Sequence, residues 1–115
     1  MDEKLAKALQ FANFTRTFED QKSILKESYF DSLIYYSNGG QFTVNKSLLS
    51  FINLLLEKQD SAVIIDDNDN PFQIENLQEF YDNILDLYFQ SSNEYYEKVR
   101  GLKTKRSVEK LVDYE

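Results

Sequence analysis

The chain has 115 residues, of which 42% are hydrophobic and 15% aromatic, all Phe or Tyr. That suffices for one domain-sized core and excludes a compositionally disordered chain. With no Cys and no His, disulfide and thiolate chemistry are excluded, the commonest general base and metal ligand are missing, and a net charge of −7 argues against a generic nucleic-acid binder.

Residues 2–12 read as a short helix or arm, with Leu5, Ala8, Leu9 and Ala12 on one face. The opening Met1-Asp2-Glu3-Lys4 lacks the basic and apolar regions of a signal peptide, so a soluble cytosolic chain is expected. From Phe14 to about Tyr36 the spacing predicts a helix. Phe14, Phe18, Leu25, Tyr29, Leu33 and Tyr36 form its stripe, and Ile24, Phe30 and Ile34 widen it, which predicts cover on more than one side. Ser37-Asn38-Gly39-Gly40 reads as its stop, because Asn and Gly accept left-handed backbone angles.

Gln41–Val44 is a brief extended segment that could add a third strand to a later hairpin. Asn45 is placed to cap a helix over Lys46–Lys58, which is apolar nearly all round and so reads as buried or as a contact surface. Its most apolar run, Leu48–Leu56, is too short to span a bilayer.

Ser61–Asn76 is the stretch around which the chain reads as organised. Ala62–Ile65 and Phe72–Ile74 have strand character, and Asp66–Pro71 between them is a strong turn run. A calcium loop is the sharper reading of these acids, but the spacing fails. Counted from Asp66, the glycine position holds Pro71 and the terminal glutamate position holds Leu77. Counted from Asp67, Pro71 and Gln78 occupy ligand positions. An acidic hairpin turn is therefore expected, with no metal site. Asn76 and Glu79 suit a capping box for a long helix from Leu77 to at least Val99, with Arg106 as its outer bound and Gly101 weakening it between them. Leu77, Phe80, Ile84 and Leu87 form one apolar row, and Tyr81, Leu85, Tyr88, Tyr95 and Val99 another. Thr104–Glu115 reads as a separate tail segment.

Charge is partitioned. Residues 57–97 hold eleven acids against Lys58, a net of −10, while residues 98–110 hold six bases against Glu109, a net of +5. Complementarity with helix dipoles is one account of this layout. Docking of the base-rich segment on an acidic surface, of a partner or a neighbouring copy, is another. A nucleic-acid contact is the third, with Tyr95 and Tyr96 offering stacking. The candidate partner-binding residues are Tyr95, Tyr96, Arg100, Lys103, Lys105 and Arg106.

Neither G-x-x-x-x-G-K-[ST] nor G-x-G-x-x-G occurs, and Ser and Tyr have no His to activate them. Asp82 and Asp86 read as a solvated helix face beside Glu79. No catalytic residue, cofactor or metal is expected, and the chain does not read as an enzyme.

Phe11-Ala12-Asn13-Phe14, Tyr35–Phe42 (YYSNGGQF), Ile65–Phe72 (IDDNDNPF) and Lys103–Val112 (KTKRSVEKLV) resemble small acidic virion or prohead-core proteins of T4-like tailed bacteriophages. The resemblance implies a structural or capsid-assembly role in the virion or host cytoplasm, with other phage structural proteins or copies of itself as partners. A neck, tail or regulatory role stays open, as does a small acidic adaptor that binds a phage or host enzyme. The expected fold is α+β and mostly helical, with long helices packed on a small antiparallel two- or three-stranded sheet. A single domain over residues 1–115 is expected, with candidate mobile ends at 1–12 and 104–115.

Overall fold

The computed structural model describes residues 2–113, and side-chain surroundings for residues 2–104. In chain order the elements are α1 (Asp2–Ser32), β1 (Ile34–Ser37), β2 (Gly40–Thr43), α2 (Lys46–Leu56), β3 (Ala62–Ile65), β4 (Pro71–Ile74) and α3 (Leu77–Asp113). The fold is α+β and mostly helical, and each strand pair forms its own antiparallel two-stranded sheet. The chain divides into two compact units, Tyr29–Asn93 and Met1–Ser28 with Glu94–Glu115.

In the Tyr29–Asn93 unit, the helix ends earlier than the apolar spacing predicts. Leu33 donates its N–H to the Phe30 carbonyl at 3.2 Å, and its own carbonyl accepts from Val44 at 2.8 Å. Leu33 thus leaves the helix and starts a ladder in which Ile34 faces Thr43 and Ser37 faces Gly40. Asn38 (φ 53°) and Gly39 (φ 84°) make the two-residue turn. Positive φ at both central residues matches the twist of a hairpin, so Asn-Gly closes β1 on β2 here and does not cap a helix.

The second hairpin lies where the sequence places it, with Ala62 facing Ile74 and Ile65 facing Pro71. β2 does not extend its ladder, because β1 takes one of its edges and Asp66 and Asp67 occupy the other. The expected caps form. Asn45 Oδ1 accepts from the Leu48 N–H at 2.8 Å, and Asn76 Oδ1 accepts from the Glu79 N–H at 3.0 Å. Asn76 Nδ2 also donates to Glu79 Oε2 at 3.3 Å.

Among the described residues, the ten buried apolar ones all belong to this unit, from Leu33 to Ile84. Phe42, 1% exposed, lies at their centre. Its ring meets Phe80 edge-on at 5.2 Å and Phe72 at 6.3 Å between centroids, and Phe80 meets Tyr35 at 5.8 Å. Such edge-to-face contacts add about 0.5–1.5 kcal/mol to the area buried. Of the first apolar row of α3, Leu77, Phe80 and Ile84 are buried. α2 buries only Ile52 and leaves Phe51 and Leu54 exposed, so it is covered on one side and presents an apolar face on the other.

In the other unit, α1 half-buries Phe14, Thr15, Phe18, Lys22 and Leu25, and α3 half-buries Tyr95, Val99 and Leu102. Ile24 is 65% exposed, so the cover expected on more than one side of α1 is absent. Residues 2–12 join α1 without a break, with Leu5 and Leu9 exposed. α3 also runs through Gly101 to Asp113, so the separate tail segment expected after Thr104 is not formed. One glycine costs a helix about 1 kcal/mol relative to Ala, too little to stop a long run of good helix formers.

The packing predicts opposite outcomes at two glycines. A Cβ at Gly40 would stand 2.8 Å from Phe72 Cε2 and 3.0 Å from Phe42 Cε2, whereas one at Gly101 would meet nothing. Gly40→Ala should destabilise by about 1–3 kcal/mol through overpacking. Gly101→Ala should stabilise the helix by up to about 1 kcal/mol. Phe42→Ala should cost about 3–5 kcal/mol. Urea denaturation of the three variants checks each value.

Candidate functional site

The acidic turn ties the two hairpins together. Asp66, 6% exposed, accepts from the backbone N–H groups of Asn68 at 3.0 Å and Asn70 at 2.9 Å through Oδ1. Its Oδ2 accepts from the Gln41 N–H at 3.1 Å. The first two bonds form the turn and the third reaches β2. Asp67 continues along the same strand. Its N–H donates to the Gln41 carbonyl at 2.8 Å, and its carboxylate accepts from the Thr43 N–H at 3.1 Å and the Thr43 hydroxyl at 2.6 Å. One backbone bond and two carboxylates therefore stand where a third strand would pair with β2.

Burial alone would raise the pKa of Asp66. The N–H groups of Asn70, Gln41 and Asn68, and the Asn68 side chain, bind its charged form and outweigh that, holding it below the ordinary carboxylate value.

Beside β4 and the start of α3 lie two open cavities. The first, about 440 Å³, is lined by Tyr35, Ser37, Asn38, Gln73, Glu75, Asn76, Glu79 and Asn83 with parts of Ile74 and Phe80. The second, about 400 Å³, is lined by Leu56, Asp60, Glu75, Asn76 and Gln78. They share Glu75 and Asn76 among their lining residues. Glu75 and Glu79 line the first and Asp60 and Glu75 the second, all three exposed, and no Lys or Arg lines either. The Asn83 amide donates to the Tyr35 hydroxyl at 3.1 Å across the wall of the first.

The Tyr29–Asn93 unit carries ten acids against Lys46 and Lys58, a net of −8. Among the described residues, none of those ten acids has an ion-pair partner. Of the other bases, five lie on α1 and six further along α3. Tyr96, Arg100 and Lys103 follow at helical spacing on one exposed face, while Tyr95 is half-buried. Lys98 pairs with Glu94 at 3.0 Å, and Arg100 approaches Glu97 at 3.9 Å. Both pairs are exposed and each contributes about 0–1 kcal/mol, so they exchange readily for other partners. Lys105 and Arg106 lie outside the residues whose side chains are described.

The cavity-lining residues Tyr35, Glu75, Glu79 and Asn83 were not among the candidate partner-binding residues read from the sequence. Glu79 stood out only as a cap, and nothing in the spacing joins Tyr35 to Asn83. Among the described residues, no three acids converge as a metal site. No helix among them is long and apolar enough to cross a membrane. Comparisons with protein-family models, curated proteins and solved structures find no match.

The depressed value at Asp66 fixes the sign of a pH effect. In the unfolded chain the group titrates near about 3.9. The folded state holds it charged to lower pH, so its contribution is complete above about pH 4 and is lost as pH falls through the folded value. Asp66→Asn keeps Oδ1 for the turn but sets an amide against the Gln41 N–H. Its melting midpoint should lie at least about 5 °C below that of the parent at neutral pH. The gap should narrow as pH falls below about 4 and through the folded value. Circular-dichroism melts of both proteins across that range test it, and a gap that ignores pH would refute it.

Proposed function

We propose that the chain is a non-enzymatic structural or assembly protein of a tailed-phage particle, acting through packed helices and charge-complementary contacts with copies of itself or other particle proteins. The observation that carries this reading is the charge partition. A unit of net charge −8, with no ion pair on any of its acids among the described residues, belongs to the same chain as a base-rich segment of net +5. Opposite charges on partner surfaces speed encounter and fix partner choice, with a strong dependence on ionic strength. The exposed apolar residues Phe51 and Leu54 on α2 supply contact area of the kind that interfaces use. The resemblance of the Tyr35–Phe42, Ile65–Phe72 and Lys103–Val112 segments to small phage virion proteins supplies the setting, a virion or the host cytoplasm.

The Ala triple variant of Lys103, Lys105 and Arg106 tests the charge component. Self-association or binding to particle proteins should weaken, most clearly at low salt. Far-UV circular dichroism and the melting midpoint should stay within about 2 °C of the parent, because exposed charges contribute little to folding. A variant that melts much lower would place this segment in the fold itself. Stoichiometric recovery with purified particles supports the assembly role. A soluble enzyme recovered in its place would make the chain an adaptor.

A further inference from the structure

We infer that Asn38, at the tip of the first hairpin, is a self-modification site: the Gly39 backbone nitrogen attacks the Asn38 side-chain amide and converts the residue to aspartate and isoaspartate. Water is the only co-reactant.

The Gly39 nitrogen bonds to Asn38 Cγ, and the Cγ–Nδ2 bond breaks. The amide nitrogen leaves as ammonia, carrying the Gly39 proton. Water then opens the succinimide ring. Cleavage at Cγ leaves aspartate on an unaltered main chain. Cleavage at the backbone carbonyl carbon leaves isoaspartate, whose main chain runs through the former side chain. Nothing is oxidised or reduced. The reaction needs a side-chain amide that is not held elsewhere, a following N–H that is not in a hydrogen bond, and room at the following residue.

Asn38 meets all three conditions. Both it and Gly39 are exposed, and Gly39 has no side chain to obstruct the ring. Gly39 stands between the closing pair Ser37 and Gly40, outside the ladder. Among the described residues, neither the Gly39 N–H nor the Asn38 amide has a hydrogen-bond partner. The eight other asparagines are each blocked. Asn13, Asn53, Asn83 and Asn93 lie inside helices, where the following N–H is bonded to a carbonyl one turn back. Asn45 holds its side chain on the Leu48 N–H as a cap. Asn76 is likewise a cap, and the Leu77 N–H after it donates to the Asp60 carbonyl at 3.0 Å. After Asn68, the Asp69 N–H donates to the Asp66 carbonyl at 3.1 Å. Asn70 precedes Pro71, which has no N–H to attack with.

The turn sets the pace. With φ of 53° at Asn38 and 84° at Gly39 it is closed in the hairpin hand, and ring closure requires the Asn38 backbone to rotate out of it. The reaction therefore proceeds from local openings, which cost less at an exposed hairpin tip than in the core. Its two products differ in effect. Aspartate keeps the turn, because Asp accepts positive φ. Isoaspartate lengthens the main chain of a turn that closes on two residues, so Ser37 and Gly40 lose their register. Gly40 already lies against the Phe42 and Phe72 rings, and a shift there loosens the packing around Phe42.

Native ageing of the full chain at mildly alkaline pH tests this, with the modified residues then located by peptide mass spectrometry and isoaspartate separated by chromatography. The mass gain of an amide-to-acid exchange should appear at Asn38 before any other asparagine, with isoaspartate among the products. Asn38→Gln, which would have to close a larger ring, should lose that early gain. The aged chain should melt below the fresh one, whereas Asn38→Asp, which carries the charge without the lengthened main chain, should melt with the fresh chain. First modification at another asparagine would overturn the inference. So would an Asn38 that stays intact in the folded chain while the urea-unfolded chain converts there, because the turn would then protect the residue.

Discussion

The carboxylate of Asp66 is the constraint on which the Tyr29–Asn93 unit depends. It is almost inaccessible to solvent, and it accepts three backbone N–H groups, two from its own turn and one from β2. A buried carboxylate without such donors would be strongly unfavourable, and β2 without a partner on its outer edge would expose unpaired backbone groups. Each requirement answers the other. Asp67 repeats the device two residues along β2, where it serves the Thr43 N–H and hydroxyl. Two hairpins too small to be stable alone are thereby fixed in one arrangement, and the Phe42, Phe72 and Phe80 rings pack in the space between them.

The same chemistry shapes the surface. Acids that make the turn and cap α3 concentrate negative charge in one part of the chain, where only Lys46 and Lys58 oppose them. Exposed like charges are well screened, so their cost to folding is small. Their effect on association is larger, because an encounter sums the field of the whole surface.

Much of this was legible in the sequence, for local reasons. Three β-branched residues before an Asp/Asn run, then Pro71 and an alternating Phe72–Ile74, specify the second hairpin without reference to anything distant. Asn45 and Asn76 are caps because their side chains reach N–H groups three residues on. The first hairpin was hidden by coincidence of period. Tyr29, Leu33 and Tyr36 recur at helical spacing although the chain is extended from Ile34, and Asn38-Gly39 fits both a helix stop and a hairpin turn. The flanking strand pattern was the signal that could have separated them. The bonds from Asp66 and Asp67 to Gln41 and Thr43 span more than twenty residues, and no local spacing encodes them. The first cavity is likewise lined by residues from β1, β4 and α3 that only folding brings together. Gly101 was over-read, since its cost is small beside the helix that surrounds it.

Native-state amide exchange tests the tie most directly. The N–H groups of Gln41 and Thr43 bond to the carboxylates of Asp66 and Asp67, whereas the Val44 N–H bonds to the Leu33 carbonyl in the ladder. If the carboxylates hold the hairpins together, Gln41 and Thr43 should exchange as slowly as Val44, opening only with the whole unit. Free exchange at Gln41 and Thr43 beside a protected Val44 would show that the turn does not hold β2, and would contradict the account.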